Sequence, residues 1–171
     1  MQGWRDSALT PAGRAQALAT GRLLRTIRED WHGWRFLSSP LGRALNTAEM
    51  ALASLGPVEV EPDLREIGMG EWEGLTLDEI AHRWPACATL SDPLAWYAAA
   101  PGGESLDDLR ARAEAVLARL DGPAVLVTHG FFSRYLRGAA LGLAEEEMSE
   151  LEDRQGVVWR IQAGRMETLT T

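Results

Sequence analysis

Apolar positions along this chain switch between a period near four and short uninterrupted or alternating runs, which is the pattern of helices interleaved with strands. Ala15, Ala19, Leu23 and Ile27 lie on one helical face. Thr10 is placed to cap that helix and Pro11 to open it, and the pattern carries it to about Arg28. Trp34-Arg35-Phe36-Leu37-Ser38 then reads as a short strand. Ser39-Pro40 repeats the cap-plus-proline start for a helix bearing Leu41, Ala44, Leu45, Ala48, Leu52 and Leu55, stopped by Gly56-Pro57. Residues 58–61 alternate like a strand heading to a sheet edge. Residues 63–74 are too rich in glycine and charge for regular structure, and a loop of this kind serves either function or connection.

Thr76 facing Glu79 makes a capping box for a helix that Pro85 ends. From there to residue 100 the chain reads as irregular cover over one side of a sheet, with Trp84, Trp96 and Tyr97 either in the core or against a ligand. Ser105 caps a long helix carrying Leu106, Leu109, Ala113, Val116, Leu117 and Leu120, with Arg110 and Arg112 assigned to its solvated face. Residues 124–128, a short apolar and β-branched run after Pro123, read as a buried parallel strand. Gly130 opens the next helical pattern through Tyr135, Leu136 and Leu141. The acids at 145–147 read as a solvated helical face, and 156–161 and 166–169 as strands around a turn at Ala163-Gly164. Strand and helix in alternation predict a single α/β domain over residues 1–171, with a mostly parallel sheet covered by helices on both faces.

Composition narrows the partners. The 171 residues are 46% hydrophobic and 25% charged, ordinary for one globular domain with a sizeable core. The net charge of −8 provides no basic field for nucleic acid or an anionic membrane surface. No stretch approaches the ~18 apolar residues of a membrane span, and the first residues lack the pattern of a signal peptide, so the expected location is the cytoplasm. Cys87 is the single cysteine and the histidines are three, at 32, 82 and 129, which leaves no metal or cofactor to expect. All 17 basic side chains are arginine. An anionic substrate must therefore be met by placed guanidinium forks, and lysine-based catalysis is excluded.

The candidate chemistry centres on His129, at a strand's carboxyl end and a helix's amino end. In open α/β sheets ligands bind beyond the carboxyl ends of strands, and a helix N-terminus offers free N–H groups to an anion such as phosphate. The alternative is that His129 only caps its helix. Arg43, in the first turn of the helix after the first strand, is its natural companion. By itself an arginine near a helix start also fits a solvated cation.

Four separated pieces then point one way: Ser38-Ser39-Pro40-Leu41-Gly42-Arg43-Ala44 with Thr47-Ala48; Leu64-Arg65-Glu66 with Gly70-Glu71-Trp72-Glu73-Gly74; Pro101-Gly102-Gly103-Glu104-Ser105; and Val127-Thr128-His129-Gly130. In that order they resemble the histidine phosphatase superfamily, the phosphoglycerate mutase-like proteins, nearly end to end. The resemblance implies a phosphate pocket in which Arg43 holds phosphate oxygens, His129 stabilises the transferring phosphoryl group and Glu66 is the general acid. It places Gln2, Gly3 and Gly130 on the substrate side, and implies a small phosphorylated metabolite as partner.

The family's signature opens with a strand ending in Arg-His-Gly, whose histidine is the nucleophile, and this sequence has no such motif. His32 and His82 stand in other contexts and read as surface or packing residues. One expectation is a phosphomonoester hydrolase whose complete chain starts upstream, with the first central strand missing here and the chain as given impaired. The alternatives are a catalytically inactive protein that binds phosphorylated ligands or a partner, and a mutase-type phosphotransferase. A modest stretch between Glu66 and His129, with Pro101-Gly102-Gly103-Glu104-Ser105 inside it, favours the phosphatase branch.

Overall fold

The computed structural model describes residues 1–170. Three parallel strands, β1 (Arg35–Ser38), β2 (Val58–Val60) and β3 (Ala124–Val127), form one sheet in the order β2-β1-β3. Among the described residues the α-helices are α1 (Pro11–Ile27), α2 (Gly42–Leu52), α3 (Leu77–Arg83), α4 (Pro93–Ala98), α5 (Leu106–Ala118), α6 (Gly130–Leu141) and α7 (Glu145–Ser149). Strands β4 (Val157–Gln162) and β5 (Arg165–Thr170) make a separate antiparallel hairpin.

The register explains the layering. Phe36 lies beside Val125 and Leu37 beside Leu126, so the two-residue period sends Phe36, Val125 and Val127 to one face and Leu37, Ala124 and Leu126 to the other. On the first face Leu24 of α1 and Ala48, Ala51 and Leu52 of α2 bury Phe36. On the second, α5 and α6 supply Leu109, Ala113, Val116, Phe132 and Leu136, and the cover adds Trp72, Ile80 and Leu94. Helices on both faces of a parallel sheet are the architecture the alternation predicts. Gly21 is what lets α1 and α2 close up, since a Cβ there would sit 2.5 Å from the carbonyl oxygen of Ala51.

Most helix signals hold locally. Thr10 Oγ1 accepts the Gly13 N–H at 3.1 Å, the Thr76–Glu79 capping box is formed, and Ser105 Oγ accepts the Asp108 N–H. The start of α2 differs from expectation. Ser39 does not cap it; the helix begins at Gly42, and the Asp6 carboxylate reaches across to accept the N–H groups of Gly42 and Arg43. Ser39 Oγ instead accepts the N–H of Leu41, one residue ahead of the helix, at 3.2 Å.

The parallel sheet has three strands, and the hairpin is not part of it. β3 pairs with β1 alone, and its other edge pairs with no strand among the described residues. The hairpin is tied to α6 instead. The Arg137 guanidinium lies 4.0 Å from the Trp159 ring centroid, donates from Nε to the Ser133 carbonyl at 3.1 Å and from Nη2 to the Glu152 carbonyl. Arg137 is buried, and burial pushes its pKa down to about 10.

Candidate active site

Parallel strands end together, so the segments leaving β1, β2 and β3 converge beyond one edge of the sheet. The Ser39 amide extends the ladder by donating to Val127 O at 2.9 Å, which brings the residue after β1 level with the residues after β3. His129 Nε2 lies 2.8 Å from Ser39 Oγ, a contact 90 positions apart in sequence. His129 occupies the N-cap position of α6 but its side chain makes no capping bond, so the helix-cap alternative is set aside. Its imidazole is buried, and burial together with the Arg43 charge pushes its pKa down to about 3. The ring is neutral near pH 7. A depressed histidine pKa contributes stability that is present above the ordinary value of 6.5 and is lost as pH falls from there toward 3.

Glu66 arrives from the carboxyl end of β2 through a 3₁₀ turn at Pro62–Leu64, held to the third strand's end by Thr128 Oγ1 donating to Leu64 O at 2.7 Å. Its carboxyl accepts the N–H groups of Phe132 at 2.9 Å, Ile67 at 3.0 Å and Phe131 at 3.3 Å. This corrects one expectation: the N–H groups of Phe131 and Phe132 at the α6 N-terminus are held by a carboxyl of the same chain and are not left open to phosphate. Burial is the largest influence on Glu66 and raises its pKa, against the downward pull of those N–H donors and of Arg43. A carboxyl whose proton is held more tightly than an ordinary glutamate's has the direction of shift that general-acid work needs.

The sign of that shift yields a stability test. Protonated Glu66 is accommodated better than the carboxylate, so its stabilising share is full below the ordinary value of 4.5 and is lost as pH rises through the raised folded value. The stability of Glu66→Gln relative to the unmodified chain is therefore expected to be more favourable at pH 8 than at pH 4 in thermal denaturation. A gain that grows on acidification would contradict the assignment.

Arg43 stands in the first turn of α2. Its Nη1 donates to Arg5 O at 2.7 Å and its Nη2 to Gly3 O at 2.9 Å, while the Asp6 carboxylate lies 3.7 Å from Nη1. The side chain is 15% exposed, and its charge acts on both Glu66 and His129, which puts the three groups in one electrostatic neighbourhood. Gln2 is exposed and donates to Ser7 Oγ. Gly3 is buried with its carbonyl turned to Arg43, and a Cβ there would lie 2.5 Å from Glu73 Oε1. Gly130 is the first residue of α6, with Asp153 across from it. His32 and His82 are exposed, away from this cluster.

Several contributors were hidden from sequence patterning. Arg112, expected on a solvated face, is largely covered, its side chain 10% exposed: Nε and Nη2 make a bidentate pair with Glu104 at 2.7 Å each, and Nη1 donates to the carbonyls of Asp63 and Arg65. Its guanidinium also lies 3.9 Å from the Phe132 ring centroid. The Leu106–Leu109–Ala113 stripe gives no sign of this, because Glu104 and the Glu66 loop come from outside the helix. Arg110, by contrast, is the expected surface residue, paired with Glu114 one turn on. Tyr97 stacks on Phe131 with centroids 4.0 Å apart, so α4 of the cover is seated against the residue whose amide holds Glu66. Trp84 and Trp96 pack on the fully buried Trp72.

An arginine, a half-buried glutamate and a buried, neutral histidine share the carboxyl edge of a parallel sheet in an α/β domain. The model of the histidine phosphatase superfamily (branch 1) matches residues 1–167, and the chain belongs to that family. It is 35% identical over 175 residues to a 2,3-bisphosphoglycerate-dependent phosphoglycerate mutase of Methylobacterium radiotolerans, covering 94% of this chain and 81% of that protein. It is 33% identical to a glucosyl-3-phosphoglycerate phosphatase of Mycolicibacterium vanbaalenii, covering 96% and 76%. Among solved structures, Bacillus stearothermophilus YhfR superposes with a TM-score of 0.78 at 31% identity, covering 99% of this chain and 87% of that one. A mycobacterial glucosyl-3-phosphoglycerate phosphatase in complex with inorganic phosphate gives 0.74 at 33% identity, covering 88% and 77%. Among the described residues no helix is long and apolar enough to cross a membrane.

Proposed function

We propose that this chain binds a small phosphomonoester at the carboxyl edge of its sheet and belongs to the hydrolytic branch of its family. The observation that carries the reading is the convergence of Arg43, Glu66 and His129. Arg43 holds phosphoryl oxygens, His129 donates a hydrogen bond to the group being transferred, and Glu66 delivers a proton to the leaving oxygen. Gln2, Gly3 and Gly130 border the substrate. Phosphoryl transfer depends mainly on positioning and charge stabilisation, and these groups supply both. Relatives bearing both phosphatase and mutase names are similar to this chain, and the compact cover between Glu66 and His129 favours hydrolysis over transfer.

Covalent catalysis also needs a nucleophile, and this sequence has no Arg-His-Gly. The chain as given is therefore expected to bind inorganic phosphate in calorimetry while turning over p-nitrophenyl phosphate only weakly. Electrostatic stabilisation alone leaves residual catalysis in enzymes stripped of their nucleophile. A second reading, ligand binding without turnover, is favoured by the same missing motif, and the paired measurement separates the two. Rapid hydrolysis by this chain would overturn the nucleophile argument, and failure to bind phosphate would overturn the site.

A further inference from the structure

Ser39 is fully buried, as is its neighbour Ser38, yet neither is explained by packing alone. Ser39 Oγ accepts the Leu41 N–H at 3.2 Å and meets His129 Nε2 at 2.8 Å. A serine hydroxyl carries one hydrogen and two lone pairs, and which partner receives that hydrogen decides the state of the histidine. Were Nε2 protonated, Ser39 Oγ would accept from both Leu41 and His129. Its own hydrogen would then be buried without a partner, since no other acceptor for it is present among the described residues. Leaving a buried donor unmade costs more than the small tautomer preference of free imidazole, so it settles the tautomer.

We infer that Ser39 is a positioning residue that donates its hydroxyl hydrogen to His129 Nε2, fixing the imidazole as the neutral Nδ1–H tautomer so that Nδ1–H is the donor offered to phosphate. Nδ1 has no hydrogen-bond partner within the protein among the described residues, nor is it a sealed, orphaned atom. The low histidine pKa agrees with a ring that is neutral, and so has a lone pair for Ser39 to address. Being wholly buried, Ser39 addresses the imidazole and not the ligand. The inference rests on the proposed phosphate site and goes further, because it makes His129 an oriented neutral donor whose direction is set from behind by a residue that never touches the substrate.

The test is long-range ¹H–¹⁵N correlation of the histidine side chains in the full chain at neutral pH, with and without inorganic phosphate. His129 is expected to show a protonated Nδ1 and a bare Nε2. Ser39→Ala is expected to lose that pattern, with phosphate affinity falling about tenfold, the worth of one hydrogen bond to a charged group. Ser38→Ala is the matched control: it removes an adjacent buried hydroxyl that bonds only to the Ser39 carbonyl, and should leave the tautomer in place. A protonated Nε2 in the unmodified chain overturns the inference without need of any variant, as does an unchanged His129 pattern in Ser39→Ala. Phosphate that binds to a chain with the wrong tautomer sinks this inference alone, whereas a correct tautomer with no phosphate binding sinks the proposed site.

Discussion

Replacing Arg43 by methionine is expected to weaken inorganic phosphate binding by about 100-fold, the loss of one or two charge-assisted hydrogen bonds worth ~1.5–3 kcal/mol each. Two of the guanidinium's donors are anchored on the carbonyls of Gly3 and Arg5, which fixes its plane relative to the pocket. Arg43→Lys keeps the charge but gives up the fork, so it should fall between the wild type and Arg43→Met. Arg110→Met removes an equal charge from an exposed pair and is expected to change affinity less than about twofold. Calorimetric titration reads the affinity, and circular dichroism reports whether each variant keeps its fold. Equal losses for positions 43 and 110 would mean that phosphate responds to net charge and not to a site.

The largest stability effect is expected at Arg112, which lies outside the proposed contacts with phosphate. Arg112→Met leaves the largely covered Glu104 beside no cation and strips a donor from the carbonyls of Asp63 and Arg65. With the two side chains only 10% and 14% exposed, solvent can do little to compensate. Breaking one half of a buried pair costs about 3–5 kcal/mol, or roughly 10–15 °C of Tm for a chain of this size. Adding Glu104→Gln should recover a good part of that loss, because it removes the stranded charge. A drop of only a degree or two in Arg112→Met would show that the pair is solvated and that the loop holds its shape without it.

These two arginines mark how far the sequence could be read. Arg43 was legible because a local rule applies to it: a strand, then a helix start, then a cation at the place where an anion binds. His129 was legible by the same strand-end rule, whereas Glu66 was singled out only by the resemblance to a known family. Arg112 was not legible, since its partners are Glu104 and the backbone of residues 63–66, and nothing in a helical stripe shows what will be folded over its polar face. Ser39 was misread for a related reason. Serine before proline is a good cap by local rules, and only the adjacency of β1 and β3 reveals a histidine within reach of its hydroxyl. Asp6, which does cap α2, lies 36 residues upstream of Gly42 and carries no local signal. The pattern of misses follows from physics: helix periodicity and capping are short-range, whereas buried polar partners are chosen by topology.

The tryptophan cluster gives the cover a property of its own. Trp72 is buried between Trp84, 6.0 Å away between ring centroids, and Trp96 at 4.7 Å. Trp96 in turn meets Tyr97 edge-on, and Tyr97 lies flat on Phe131. These rings form one continuous run of contacts from the end of α3, through α4, to the residue whose amide holds Glu66. Displacing α4 is therefore expected to disturb the Glu66 carboxyl through Phe131, without any charge passing between them. Indoles packed this closely also share their electronic transitions, so the near-ultraviolet ellipticity of the protein is an optical record of whether the cover is seated over its acid.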